Sequence, residues 1–162
     1  MIIILDLDHT LIDSSHRQLT KADGTLDLEH WIENNTPEKI MSDSILPLGR
    51  EFARQRRLPR HSSIMHIACT ARVMGEADHE FLRNHGLEFD AILSRPFGCS
   101  DSDVELKERL LRAFARQIDM PYARMLAISH FWDDNEKIRE HFTALGVTCY
   151  NPIKYNAINS AA

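Results

Sequence analysis

The chain opens with an apolar run, Ile2-Ile3-Ile4-Leu5, that ends on Asp6, with Asp8 two residues on and Thr10 two after that. Most of the run is β-branched and nothing polar interrupts it. It therefore reads as a strand covered on both faces, the condition of a central strand in a parallel sheet. Ligands of open α/β sheets bind beyond the carboxyl ends of the strands, which is where Asp6 and Asp8 stand. Spaced by two, they share a strand face, and a turn beginning there lets them converge. Two convergent carboxylates serve either a hard cation or a nucleophile with a general acid/base. The competing reading, a strand ending in an Asp-rich turn, loses weight to the polar residues placed further along the chain.

The rest of the sequence alternates strand and helix signals. Residues 14–46 are polar and irregular, punctuated by Gly24 and Pro37. Within them Asp27 caps a short helix, and Thr36-Pro37 is an N-cap with proline at the first helical position. Pro47 opens a helix to about Arg57 with Leu48 and Phe52 inward. Strands are expected at 64–69, 89–93, 125–129 and 147–150, and helices at 76–85, 102–118 and 135–145. Ser102 and Glu105 form a capping box. Lys107 falls on the apolar stripe of that helix with Val104 and Leu111: taken alone it snorkels out at the end of the stripe, and if it stays on the inner face it needs anionic partners. The expected class is α/β, a mostly parallel sheet with helices on both faces. One domain spans 1–155, with 14–46 as a small insertion and 156–162 as a flexible tail.

Composition narrows the function. A net charge of −5 argues against a basic nucleic-acid clamp. The opening apolar run is too short for a signal-peptide core and lacks a basic lead-in, and no stretch approaches membrane-spanning length. Cys69, Cys99 and Cys149 are scattered, as reduced thiols of a cytoplasmic protein are, and the nine histidines show no zinc-ligand spacing.

Polar residues gather at four points: Asp6/Asp8, Thr70 after the second strand, Lys107, and Asp133/Asp134 after the fourth. Parallel strand ends open on one sheet edge, so these groups can meet. Asp6, an Asp of the adjacent pair and a backbone carbonyl would hold Mg²⁺; Thr70 and Lys107 would hold a phosphoryl group. Asp6 would attack phosphorus, and Asp8 would protonate the leaving oxygen and then activate water.

In order and in kind, these motifs resemble those of the haloacid dehalogenase (HAD) superfamily of phosphatases. Asp6-Leu7-Asp8-His9-Thr10 is similar to the first motif, Cys69-Thr70-Ala71-Arg72 to the second, Lys107 to the third and Asp133-Asp134 to the fourth. The resemblance implies a Rossmannoid sheet with the first strand central, an aspartyl-phosphate intermediate, and Mg²⁺ held by Asp6, the main chain of Asp8, and Asp133 or Asp134. His9 stands where the family usually has glycine, a departure that perturbs the turn. The runs around Ser94-Arg95, Asp103 to Lys107 and Asp133-Asp134 are similar to the phosphatase half of phage polynucleotide kinase-phosphatases. This chain has four extra residues before Asp133, and no phosphate-loop signature of a kinase half.

The insertion leaves room for a mini-cap at most, so an open site is expected, suited to a nucleic-acid 3′-phosphate end or a nucleotide. A 5′-nucleotidase or general small-phosphate phosphatase is the alternative, and a non-catalytic phosphate- or protein-binding module is the alternative of another class. No obligate protein partner is readable. Arg72 and Arg95 come just after strand ends and are candidates for a second phosphate or a nucleic-acid backbone. His16, Arg17 and Trp31 would line the entrance, though Trp31 better suits the insertion's own small core. Arg54, Arg56, Arg57 and Arg60 read as a solvated face away from the site.

Overall fold

A computed structural model of the chain describes residues 1–19, 21–22, 27–58 and 64–160; Gly24 and Arg60 lie outside them. In chain order the elements are β1 (Ile2–Leu5), β2 (Ile12–Asp13), a 3₁₀ turn (Ser15–Arg17), α1 (Leu28–Glu33), α2 (Pro37–Met41), β3 (Ser44–Ile45) and α3 (Pro47–Arg56). Next come β4 (Met65–Cys69), α4 (Glu76–Asn84), β5 (Ala91–Leu93), α5 (Asp103–Gln117), α6 (Tyr122–Ala127), β6 (Ser129–Trp132), α7 (Glu136–Ala144), β7 (Thr148–Tyr150) and α8 (Pro152–Asn159).

Five parallel strands form one sheet in the order β5-β4-β1-β6-β7, so the opening strand is central. Its unbroken apolar sequence is explained by cover on both faces. Ile2 and Ile4 join Ile67, Leu111, Phe131 and Phe142 on the side of α5, α6 and α7. Leu5 joins Leu7, Phe52, Phe81 and Leu82 on the side of α3 and α4. Each of these side chains contributes about 1.5–3 kcal/mol when fully buried, which is what holds the register.

That register positions the site. Leu5 lies opposite Ala68 of β4 and opposite Trp132 of β6. Asp6 and Asp133 are the next residues of adjacent strands, and the Asp6 N–H donates to the Trp132 carbonyl at 2.9 Å. Burial pushes the Cys69 thiol, at the end of β4, up to about 12, so it stays protonated.

Two expectations are corrected. Residues 125–129 are not a strand. Residues 122–127 form α6, whose Met125 and Leu126 are buried, and the strand begins at Ser129. Ala, Arg, Met and Leu are good helix formers, and a short apolar run does not distinguish a buried helix from a strand. The chain end is the second. Asn151 caps α8 by accepting from the Ile153 N–H, and Pro152 takes the first helical position. Buried Asn156, expected to begin a flexible tail, accepts from the Leu48 N–H at 2.8 Å and donates to the Thr10 carbonyl at 3.1 Å. It thereby satisfies an N-terminal amide of α3, whose own N-cap residue, Leu46, has no side-chain acceptor. Residues 161 and 162 lie outside the described residues.

The insertion grows from the carboxyl end of β1. Its two ends are joined where β2 pairs antiparallel with β3, Ile12 opposite Ile45. α3 then packs hard on this hairpin: a side chain at Gly49 would collide with the Leu11 carbonyl oxygen.

Candidate active site

Asp6, Asp133 and Lys107 form the buried centre. The Lys107 ammonium, reached from the inner face of α5, donates to Asp6 Oδ1 and to Asp133 Oδ2, both at 2.7 Å. The anionic partners that a lysine on an apolar stripe needs come from β1 and from the loop after β6. Burial lowers the proton affinity of Lys107, but the two carboxylates outweigh burial and raise it, so the ammonium is charged. Burial and the neighbouring Asp133 and Asp134 outweigh Lys107 at Asp6, whose carboxyl is held well above the usual range. Burial, with Asp133 next in weight, raises Asp134 too.

Carboxylate oxygens of Asp6, Asp133 and Asp134 lie within 4.8 Å of one another. Three carboxylates around a single ammonium leave an excess of negative charge, and every ligand atom is a hard oxygen. This donor set fits Mg²⁺. Asp133 is held in place by the Asn135 N–H at 2.9 Å, and Arg139 donates to the carbonyls of Asp133 and Asp134 at 2.7 and 2.6 Å.

Thr70 is fully buried beside this cluster, and its hydroxyl oxygen accepts from the Arg72 N–H at 3.1 Å. Its hydroxyl hydrogen is left to donate. The Asp8 side chain is committed elsewhere than the acidic cluster. It accepts from Ser14 Oγ at 2.5 Å, and from Arg72 Nη2 and Nε at 2.5 and 3.1 Å. Burial alone would raise the Asp8 carboxyl. The Arg72 charge and hydrogen bonds, with the bond from Ser14, overcome burial and hold it at about 2. Any metal contact of Asp8 thus falls to its main chain, as the resemblance implies.

The two arginines assigned to substrate are otherwise occupied. Arg72 is 3% exposed and donates to Asp78 at 2.7 Å and to Asp43 at 3.4 Å besides Asp8. Arg95 donates to the carbonyls of Ala71, Cys99 and Asp101 and to Asp103 Oδ1, pinning the loop after β5. Asp43, which the sequence did not single out, is the hub of the insertion. It accepts two bonds from Arg17, at 2.9 and 2.8 Å, and one from His16 at 2.9 Å. Arg17 is fully buried, and its guanidinium lies 4.3 Å from the Trp31 ring centre. The candidate entrance residues Arg17 and Trp31 therefore pack within the insertion, Arg17 beneath the half-buried Trp31 ring, and a chain of ion pairs runs from Arg17 through Asp43 and Arg72 to Asp8. The only sequence signal for it was an arginine in a polar segment with no visible partner.

His9 adopts a left-handed backbone, φ 55°, at the position where the resembling family has glycine. Its Nε2 pairs with Gln18 Oε1 at 2.8 Å. In the basic cluster, Arg56 departs from the expected solvated face. Its side chain is nearly buried and meets His66 and Asp90, whereas exposed Arg54 pairs with Glu51 as a surface residue does.

A family model described as bacteriophage T5 5′-deoxynucleotidase matches residues 1–160. The chain belongs to that family. The 5′-deoxynucleotidase of Escherichia phage T5 is 36% identical over 111 residues, 67% of this chain and 41% of that protein. The chain thus spans less than half the length of the curated relative it matches. The sheet and its flanking helices are those of HAD-like hydrolases. One from Streptococcus pneumoniae superposes with a TM-score of 0.60 at 13% identity, covering 93% of this chain and 83% of that one. A subfamily IA hydrolase from Geobacter sulfurreducens gives 0.60 at 15%, covering 93% and 88%. A chain of the Pnkp1/Rnl/Hen1 RNA repair complex gives 0.58 at 17%, covering 93% and 41%. At these identities the shared property is the fold. Among the described residues no helix is long and apolar enough to cross a membrane.

Proposed function

We propose that this protein is a Mg²⁺-dependent phosphomonoesterase that hydrolyses deoxynucleoside 5′-monophosphates through an aspartyl-phosphate on Asp6. The observation that carries the reading is Lys107 bridging Asp6 and Asp133 inside an all-oxygen acidic cluster at the carboxyl end of the central strand. The substrate class comes from the family match over 1–160 and from the T5 relative. Nucleic-acid ends, the first expectation from the motifs, become the second substrate class to test. A binding module would have no need of a buried nucleophile beside an ammonium.

Each residue has a task in this scheme. Asp6, Asp133 or Asp134, and the main chain of Asp8 would hold Mg²⁺, which when bound offsets charge on the transferring phosphoryl group. Thr70 donates its hydroxyl, and Lys107 its charge, to phosphoryl oxygens. An Asp6 oxygen forms the bond to phosphorus as the ester oxygen departs and takes a proton from Asp8. In the second half Asp8 accepts a proton from water, the water oxygen bonds to phosphorus, and the Asp6–phosphorus bond breaks. At rest the contact with Arg72 keeps Asp8 ionised, the state the second half requires; for the first half substrate binding must loosen that contact so that Asp8 takes up from solvent the proton it then gives to the departing oxygen.

The test is phosphate release with Mg²⁺ from the deoxynucleoside 5′-monophosphates, beside oligonucleotides bearing 3′- or 5′-phosphates. The expected result is turnover of the mononucleotides, abolished by a chelator and restored by Mg²⁺. Turnover confined to 3′-phosphorylated oligonucleotides would replace the nucleotidase with an end-healing phosphatase.

A further inference from the structure

The acidic cluster, Thr70 and Lys107 account for a phosphoryl group and leave the rest of a nucleotide without a seat. Trp31, the ring considered for a base on sequence grounds, is covered by Arg17. Tyr150 and Tyr155 both pack on Trp132, Phe52 packs on Phe89, and Phe131 on Phe142. Phe97 is different: it is 96% exposed.

Its placement is not that of a loose surface residue. Phe97 comes after β5, so it leaves the sheet at the carboxyl edge where Asp6 and Thr70 lie. It occupies the first central position of a turn closed by the Cys99 N–H donating to the Pro96 carbonyl at 3.1 Å. Gly98 takes the next position with φ 76°, a conformation in which a side chain would be strained. Arg95 fixes the turn from below through bonds to Cys99, Asp101 and Asp103. It ties the turn to the β4 loop through Ala71 at 2.9 Å and through its own N–H to the Arg72 carbonyl at 3.1 Å. On that neighbouring loop Val73 is also exposed. A set of polar contacts beneath the turn thus holds an apolar ring up to solvent. The strand order puts β5, from which this turn leads, two strand spacings, about 10 Å, from β1 along the sheet edge that carries Asp6.

We propose that Phe97 is the stacking platform for the base of the nucleotide substrate, with Val73 beside it. The inference rests on the nucleotidase reading and adds a binding subsite to it. Stacking accepts any base, since each presents a flat π-face, so the platform predicts preference for nucleotides over sugar phosphates with little choice among bases.

The test compares a deoxynucleoside 5′-monophosphate with deoxyribose 5-phosphate, which keeps the phosphoester and lacks the base. In Phe97→Ala the ratio of kcat/KM for nucleotide over sugar phosphate should fall at least about fivefold, through KM, and Phe97→Trp should restore it. An unaltered ratio in Phe97→Ala overturns the platform even where the wild type turns over nucleotides well. A wild type that hydrolyses deoxyribose 5-phosphate but no nucleotide overturns the nucleotidase reading itself, and the platform with it.

Discussion

At the residue scale, the site shows how far a side chain's partners decide its work. Arg72 and Arg95 carry the charge a substrate phosphate would want, and both sit near the right edge of the sheet. Arg72 is nonetheless shared among Asp8, Asp43 and Asp78, and Arg95 is committed to a loop. Sequence spacing located these arginines but not their acceptors, which come from segments up to 64 residues away. His9 is the reverse case. The departure from glycine was visible, and the structure shows its consequence, a left-handed backbone with a hydrogen bond to Gln18. The Asp8–Arg72 pair makes a pH prediction. Asp8 falls from its ordinary 3.8 to about 2 in the folded protein, so its contribution is fully present above about pH 4 and is lost as pH falls towards 2. Acid unfolding monitored by circular dichroism should show a loss of about 2 kcal/mol across that window, absent in Asp8→Asn. Parallel curves for the two proteins would mean that the pair does not form.

At the scale of elements, the sheet was legible and its trimmings were not. The central strand, the capping box at Ser102 and the inward Lys107 could be read because periodicity and local capping chemistry are written in consecutive residues. The strand expected at 125–129 failed for the converse reason: Met125-Leu126-Ala127-Ile128 is a short apolar run that suits a buried helix as well as a strand, and the strand that does form, from Ser129, is set by its pairing with β1 and β7. α8 escaped notice because Asn156 is held by Leu48 and Thr10, more than 100 residues away in sequence. The insertion hangs on the Arg17–Asp43 pair, whose side chains are both fully buried. Arg17→Met leaves Asp43 buried with one guanidinium fewer, and urea unfolding should show a loss of about 3–5 kcal/mol. A loss below about 1 kcal/mol would show that the insertion does not depend on this pair.

At the scale of the whole molecule, two apolar layers clamp one strand, and that strand delivers Asp6 to a point where three other segments arrive. The insertion and α8 both close on the same edge, through Asp8 and Thr10 respectively, so the parts outside the sheet brace the turn that carries the motif. The central claim is that Asp6 is the nucleophile. The decisive measurement is phosphate release by the wild type and by Asp6→Asn, side by side with Mg²⁺ and a deoxynucleoside 5′-monophosphate, with circular dichroism confirming that both are folded. A nucleophilic Asp6 predicts a fall of at least about 10⁴-fold in kcat for the variant with its fold retained. A folded Asp6→Asn that still turns over at a comparable rate would contradict it.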